Sequence, residues 1–313
     1  MSDTAGTIPD LSFVVAEDEA GLRVDRLVVR HAGELGRRGV AELFRRGLVR
    51  ADGRVAKKGD RATAGRTVSV VRGDATPIRP ETEAPLDVRL EREDLVVVRK
   101  PAGQPTAPIR LGETGTLAGA LLGRYPELLG IGHQSREPGL LHRLDTQTSG
   151  LLVAARTVPV FEHLWRGLSE GRLEKRYLAV VESRDLPESG VIESHLAPDP
   201  GDPRRVAPVS SMALIGRGRP SSTAWRRVRV SSRFALVDAS APHAYRHQVR
   251  VHLASIGHPI AGDTLYGGVP AAEELGARHA LHASYVGWAG DEDVPAFAVE
   301  DPLPHDLAAL LGS

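Results

Sequence analysis

Apolar positions along this chain fall into two periodicities, and the switches between them outline its elements. Val24, Leu27 and Val28 stand at i, i+3, i+4, and Val40, Leu43 and Phe44 repeat the interval before Gly47, which predicts two short helices, the second closed by glycine. Asp52-Gly53, between Leu48-Val49 and Val55, predicts a tight hairpin, and the β-branched run at 67–71 a further strand. Residues 95–98 and 151–155 read as buried strands. Phe161, Leu164, Trp165 and Leu168 then mark an amphipathic helix between Thr157 as N-cap and Gly171 as its C-terminal stop. Residues 177–181 and 235–239 read as strands, and Val249, Leu253 and Ile256 give a short helix closed by Gly257 and Pro259. Residues 199–220, rich in Pro, Gly, Arg and Ser, read as a long excursion. No internal repeat is visible, and strands mixed with helices without strict βαβ alternation predict an α+β body.

Pro77, Pro80 and Pro85 fall in residues 74–86, which lack apolar periodicity and read as an extended linker. The expected division is a flexible N-terminus over 1–19, a helix-helix-hairpin module over 20–73, the Pro-rich linker over 74–86 and a catalytic body over 87–313.

Composition narrows the class. With 313 residues, 41% hydrophobic and 26% charged, the chain can bury a sizeable core. It has no cysteine, which excludes thiolate catalysis, iron-sulfur clusters, zinc-cysteine sites and disulfide scaffolds. The first ten residues carry Asp3 and Asp10 without a basic leader, and no stretch approaches about 18 apolar residues. A soluble, cytoplasmic protein with no membrane partner is expected.

Charge sums to zero, 40 basic against 40 acidic residues, but unevenly. Residues 21–72 hold 14 Lys and Arg against five acids, a local excess of nine. Such a module points to a polyanionic partner, with Arg37, Arg38, Arg45, Arg46, Lys57 and Lys58 as expected contacts. A solvated cationic face is the bland alternative.

The densest reactive cluster is Leu141-His142-Arg143-Leu144-Asp145-Thr146-Gln147-Thr148-Ser149-Gly150, set just before a strand. An isolated Asp in such a place is most often a turn or capping residue. The neighbouring cation raises the stakes, because it would keep a part-buried carboxylate ionised. Histidine spacings such as His243 with His247, and His279 with His282, superficially suggest a metal. Neither supplies three or four convergent ligands, so no metal is expected. No GxxxxGK[ST] or GxGxxG loop sits between a strand and a helix, so nucleotide hydrolysis and dinucleotide binding are unsupported.

HRLDTQTSG resembles the HRLDxxTSG signature of the RluA family of RNA pseudouridine synthases. Further blocks follow in that family's order: the strand and turn at 93–103 ending Lys100-Pro101-Ala102-Gly103, Lys175-Arg176-Tyr177-Leu178-Ala179, and the run from Arg246-His247-Gln248-Val249-Arg250 to Gly262-Asp263, with Leu265-Tyr266-Gly267 and Leu281-His282-Ala283 after it. The likeness covers roughly residues 90–290. It implies an isomerase with a mixed, largely antiparallel sheet flanked by helices, acting without cofactor on structured RNA. Large-subunit ribosomal RNA is the expected substrate; transfer RNA, or a catalytically weak RNA-binding or ribosome-assembly role, are the alternatives. A monomer is adequate for this chemistry.

The resemblance makes Asp145 the catalytic carboxylate and Arg250 its cationic partner. Tyr177 would stack on the detached uracil or assist deprotonation at its carbon 5, and His142 and Arg143 would contact RNA. The basic module resembles the small α-L RNA-binding domain found on such synthases. Two departures stand out. Ala244-Tyr245-Arg246 occurs where the family has Gly-Arg-Thr or Gly-Lys-Thr, and Arg99 precedes the KPAG turn where Asn is common.

Overall fold

The computed structural model describes residues 11–32, 36–45, 47–52, 54–70, 78–109, 112–183, 185–209, 218–243, 245–270, 275–276 and 278–312. Two compact units divide the chain, Met1–Thr76 and Pro77–Ser313. The smaller one contains β1 (Leu11–Val14), α1 (Val24–His31), α2 (Arg37–Arg45), β2 (Val49–Ala51), β3 (Arg54–Val55) and β4 (Thr67–Val70). Both apolar stripes read from the sequence face one core, where Val24, Leu27, Val28, Val40 and Leu43 meet Val49, Val68 and Val70. The hairpin forms with Ala51 opposite Arg54. Its turn residue Asp52 takes a left-handed φ of 47°, a conformation that Asp tolerates better than most residues.

Two expectations about the boundaries need correcting. Of the N-terminus expected to be flexible, residues 1–10 lie outside the described residues, but Leu11–Val14 pair antiparallel with β4. Leu11 and Phe13 alternate onto the small core, Val15 is buried, and buried Glu19 binds Arg30 and His31. Of the linker, residues 74–77 lie outside the described residues, whereas Ile78 is buried in the larger core. The Glu81 carboxylate accepts the Gly115 N–H, and its own N–H donates to the Gly119 carbonyl. Prolines bar this segment from a strand ladder but leave it free to pack against a helix.

The larger unit runs β5 (Asp87–Glu91), β6 (Leu95–Lys100), α3 (Leu117–Arg124), β7 (Ser149–Ala155), α4 (Val158–Ser169), β8 (Glu174–Glu182), β9 (Ser189–Pro198), β10 (Val206–Pro208), β11 (Arg219–Val230), β12 (Phe234–Ser240), α5 (Gln248–Ser255), β13 (Leu281–Trp288), β14 (Phe297–Glu300) and α6 (His305–Ala309). Among the described residues the sheet order is β10-β9-β11-β12-β8-β13-β7-β6-β5, with β14 beside β13. The fold is α+β, and the sheet is mixed and largely antiparallel, β7 and β13 pairing in parallel. Continuous apolar runs make β6 and β7 central strands: Leu95–Val98 and all seven residues of β7 are buried. Thr157 caps α4 through the Val160 N–H, and Phe161 and Leu164 bury its apolar face. The segment read as an excursion instead supplies β10 and the start of β11, and residues 210–217 lie outside the described ones. No helix among the described residues is long and apolar enough to cross a membrane.

Topology determines where chemistry can collect. Because β6 and β7 are antiparallel, Lys100 at the end of one lies opposite Gly150 at the start of the other. Because β13 runs parallel to β7, His282 lies opposite Ser149 at that same end. Gly150 has φ 119°, and a Cβ there would run into the Ala283 backbone. Below this edge, buried Asp301 gathers Arg89 at 2.7 Å, Arg99 at 3.0 Å and His282 at 3.1 Å, tying β5, β6 and β13 to the chain after β14.

Gly150→Ala is expected to destabilise the larger unit by roughly 3 kcal/mol, through backbone strain and overpacking together. Trp165, Trp225 and Trp288, the chain's three tryptophans, all lie in that unit, so denaturant unfolding followed by their fluorescence reads it. An unchanged midpoint would show that Ala283 moves aside at no cost.

Candidate active site

The segment from Leu141 to Thr148 crosses the sheet edge with no regular structure, and side chains hold it from both sides. Lys100, fully buried at the end of β6, donates from Nζ to the carbonyls of Pro101, Gln104 and Thr146 at 2.9, 2.7 and 3.1 Å. Burial pulls its pKa down to about 7, against the opposing pull of the Asp145 charge. The Gly103 N–H also donates to the Thr146 carbonyl. Thr106 Oγ1 donates to the Leu144 carbonyl at 2.7 Å and accepts its N–H at 3.2 Å. Thr148 Oγ1 lies 2.7 Å from His279 Nε2. Asp145 is therefore presented by a fixed backbone, which is what a reacting group needs.

Its carboxylate Oδ2 accepts from Arg250 Nη1 at 2.8 Å. Arg250, on α5 and 7% exposed in its side chain, also donates through Nε and Nη2 to both oxygens of buried Asp263, at 2.7 and 2.8 Å. One guanidinium thus bridges two carboxylates, and its bidentate side leaves Nη1 aimed at Asp145. Burial pushes the Asp145 carboxyl upward, but His247, Arg250 and His279 outweigh it and hold the pKa below its usual value. Arg250 is the permanent cation among them. Burial acts against the Arg250 charge, yet Asp263 and Asp145 hold its pKa above the ordinary value. Asp145 retains 27% side-chain exposure, so a ligand can reach it.

Tyr177, in β8, is 6% exposed, and burial followed by the Asp145 charge keeps its hydroxyl well above the usual range. The phenol stays neutral at pH 7, which favours the ring face over a phenolate base. His142 departs from expectation. Both its ring nitrogens are buried without partners, and burial, with Lys175 adding to it, brings its pKa to about 3. Neither ring nitrogen is therefore presented to an RNA. Arg143 points outward, 58% exposed, and pairs with Glu137 at 3.0 Å.

Asp145, Arg250 and the charge felt by Tyr177 thus come together. The sequence reading gave no role to Lys100, Asp263, His247, Tyr266 or His279, although each lies in a block it quoted or noted. Asp263 stands 13 residues after Arg250, a separation that by itself signals no contact. The Tyr245 departure also acquires a context. The Arg219 guanidinium lies 5.6 Å from the Tyr245 ring centroid, while exposed Arg246 binds the carbonyls of Pro203 and Arg204. Positive charge therefore stands beside Tyr245 on one rim of the site; Ala244 lies outside the described residues.

In the smaller unit Arg37, Arg45, Lys57 and Lys58 are exposed, while Arg46 and the side chain of Arg38 lie outside the described residues. His279 and His282 each spend a ring nitrogen on Thr148 and Ser149. Among the described residues one group, His163 with Asp291 and Asp293, has metal-like spacing. Its members pair with one another at 2.7 and 3.0 Å, and Arg172 stands 3.3 Å from Asp291. A guanidinium in that place opposes a bound cation.

The RNA pseudouridylate synthase family profile matches residues 94–255. A relative from Nitrosomonas europaea named ribosomal large subunit pseudouridine synthase D is 31% identical over 309 residues, covering 96% of this chain and 87% of its own. An uncharacterised RNA pseudouridine synthase from Chloroflexus aurantiacus is 35% identical, covering 95% of this chain and 92% of that one. The solved structure of human RNA pseudouridylate synthase domain containing 1 superposes with a TM-score of 0.57 at 25% identity, covering 74% of this chain and 90% of that one.

Arg250→Met leaves Asp263 buried and unpaired, and is expected to cost roughly 3–5 kcal/mol. Adding Asp263→Asn should recover part of that loss, so the double-mutant cycle in tryptophan-monitored unfolding shows strong coupling. Additive effects would contradict the bridge. A second expectation concerns pH. His142 is held at about 3, and His247, His252, His279 and His282 at about 4, burial being the largest cause in each. These folded values lie below the 6.5 of an unperturbed histidine, so the unfolded chain binds more protons as pH falls from 6.5 to 4. Stability therefore declines through that window, by up to about 1.4 kcal/mol per pH unit for each ring. The depressed Asp145 adds its own loss only below the ordinary carboxylate range. Urea midpoints measured from pH 7.5 to 4.5 should fall steeply below 6.5, and a flat profile would refute neutral burial.

Proposed function

The chain belongs to the RNA pseudouridylate synthase family, and from that premise we propose that it isomerises uridines of large-subunit ribosomal RNA, with Asp145 as its catalytic carboxylate. The observation that carries the residue assignment is the 2.8 Å contact between a solvent-reachable Asp145 and buried Arg250. The substrate assignment rests on the names of relatives that match nearly the whole chain.

Isomerisation breaks the bond from N1 to C1′, turns the uracil, and joins C5 to C1′; C5 then loses its proton and N1 gains one. Atoms and electrons balance within the nucleotide, so no cofactor is called for. What the chemistry needs is a carboxylate at the anomeric carbon, to trap or stabilise a cationic sugar or to take a proton from it. Arg250 keeps Asp145 ionised and oriented for that task. The neutral Tyr177 ring offers a face to the uracil while it turns. The target must leave its stack to reach this site, and exposed Arg143 is suited to the gap it leaves.

The smaller unit is read as an α-L RNA-binding module. Its support is two short helices with a hairpin and the outward Arg37, Arg45, Lys57 and Lys58. It would grip phosphates with little sequence preference. A lost basic residue at Tyr245 would favour the catalytically weak alternative, and the adjacent guanidinium of Arg219 weakens it.

The test uses ribosomal RNA transcripts tritiated at uridine C5. Wild type should release tritium and Asp145→Ala none, while Lys57→Glu/Lys58→Glu should raise KM on the order of tenfold with kcat retained. Release only from transfer RNA would reassign the substrate; silence on both RNAs would sink the reading.

A further inference from the structure

We propose that His247 is a positioning residue for Asp145, presenting its Nε2–H to the second carboxylate oxygen in a tautomer that Tyr266 dictates. The inference rests on the isomerase reading above and adds a residue to it. It starts from the backbone. His247 is the N-cap of α5 and sits in the left-handed region, φ 55° and ψ 15°. A side chain bearing a Cβ is strained there, by about 1–2 kcal/mol, and such strain persists where the surroundings enforce it. Its effect is to aim the ring at Asp145: Nε2 lies 3.6 Å from Oδ1, while Arg250 occupies Oδ2 at 2.8 Å. The two carboxylate oxygens are thus attended by different groups, three residues apart on one turn.

The opposite ring nitrogen fixes which proton His247 carries. Nδ1 lies 2.9 Å from the Tyr266 hydroxyl, and that hydroxyl already accepts the Val206 N–H at 2.9 Å. With the backbone donor on its lone pair, the hydroxyl proton is satisfied by going to Nδ1. A neutral ring with Nδ1 occupied as acceptor must carry its hydrogen on Nε2. The Tyr266 ring is itself held, with the Arg250 and Arg205 guanidiniums 5.2 and 5.3 Å from its centroid. Burial, then Arg250 and Arg246, hold the His247 pKa down to about 4 against the pull of Asp145 and Asp263. The ring therefore turns its Nε2–H toward Oδ1 without adding charge.

At 3.6 Å the contact is longer than a hydrogen bond. It orients Oδ1 electrostatically and closes when substrate seats the carboxylate, as catalytic contacts often tighten on binding. Arg250 alone would leave the carboxylate plane free to swing about one anchored oxygen. A donor on each side selects the rotamer that turns a lone pair toward the anomeric carbon.

Two measurements on the full chain decide it. Long-range ¹H–¹⁵N correlation on protein labelled at its 12 histidines, with His247 assigned by its loss in His247→Asn, should show a protonated Nε2 and a bare Nδ1 at pH 7. A protonated Nδ1 would overturn the proposal, whatever RNA the enzyme takes. Kinetics supply the second. Asn accepts the left-handed backbone but lacks the distal nitrogen, so His247→Asn should lower kcat about ten- to a hundredfold with KM and melting temperature unchanged. His247→Gln, whose amide reaches near the Nε2 position, should recover most of that loss. Wild-type kcat in His247→Asn, or equal losses in both variants, would refute it. Wild type inactive on every RNA would instead defeat the isomerase reading, with the tautomer still decided by the spectrum.

Discussion

A single buried guanidinium organises the catalytic unit. Arg250 is almost wholly removed from water, and an isolated charge in that position would be untenable. Asp263 makes it tolerable by taking two of its donors in a bidentate pair, and both are then committed to one geometry. The remaining donor cannot turn elsewhere, so Asp145 receives a cation of fixed position. Much of the surrounding architecture serves to bring a backbone loop to that cation. Lys100 spends three donors on carbonyls, Thr106 binds Leu144 in mid-loop, and Thr148 ties the loop's end to His279. The clamp acts on the backbone and leaves the Asp145 carboxylate itself to Arg250 and His247.

Strand direction explains why these groups meet. An antiparallel β6–β7 pair puts the end of one strand beside the start of the next, and a parallel β13 brings its own start to the same edge. Lys100, the Asp145 segment and His279 come from distant parts of the sequence, yet each sits at a strand terminus on that edge. Gly150 permits the close approach of β7 and β13 that this convergence demands. The Asp301 cluster secures the other strands below it with two arginines and a histidine.

What could be read from the sequence follows from how local each signal is. The stripes of α1, α2 and α4, the turn at Asp52 and the continuous apolar strands are set by neighbours within a few residues, and the fold class with them. Asp145 and Arg250 were singled out because their blocks resemble family motifs residue by residue; the reactive cluster alone left Asp145 as readily a turn residue. The strands β10 and β11 were not legible, since they fall in or beside a stretch rich in Pro, Gly, Arg and Ser, and the strands they pair with are not signalled by neighbouring residues. Asp263 was hidden for a different reason: its value comes from a contact that only α5 and the following turn create. The inward turn of His142 likewise depends on packing that no spacing encodes.

A carboxylate working beside RNA faces an electrostatic difficulty. The phosphates that deliver the substrate also raise the cost of its negative charge, and burial adds to it. Exposed lysines would answer this poorly, because salt and the RNA itself compete for them. The arrangement here separates the two tasks. Outward cations such as Arg37, Lys57, Arg143 and Arg246 are placed where a polyanion can reach them, while Arg250 is withdrawn where phosphate cannot. The acid that might have been expected to weaken this cation, Asp263, is what allows it to be buried at all. The Asp145 carboxylate is thus held beside a cation that an RNA's own charge cannot displace.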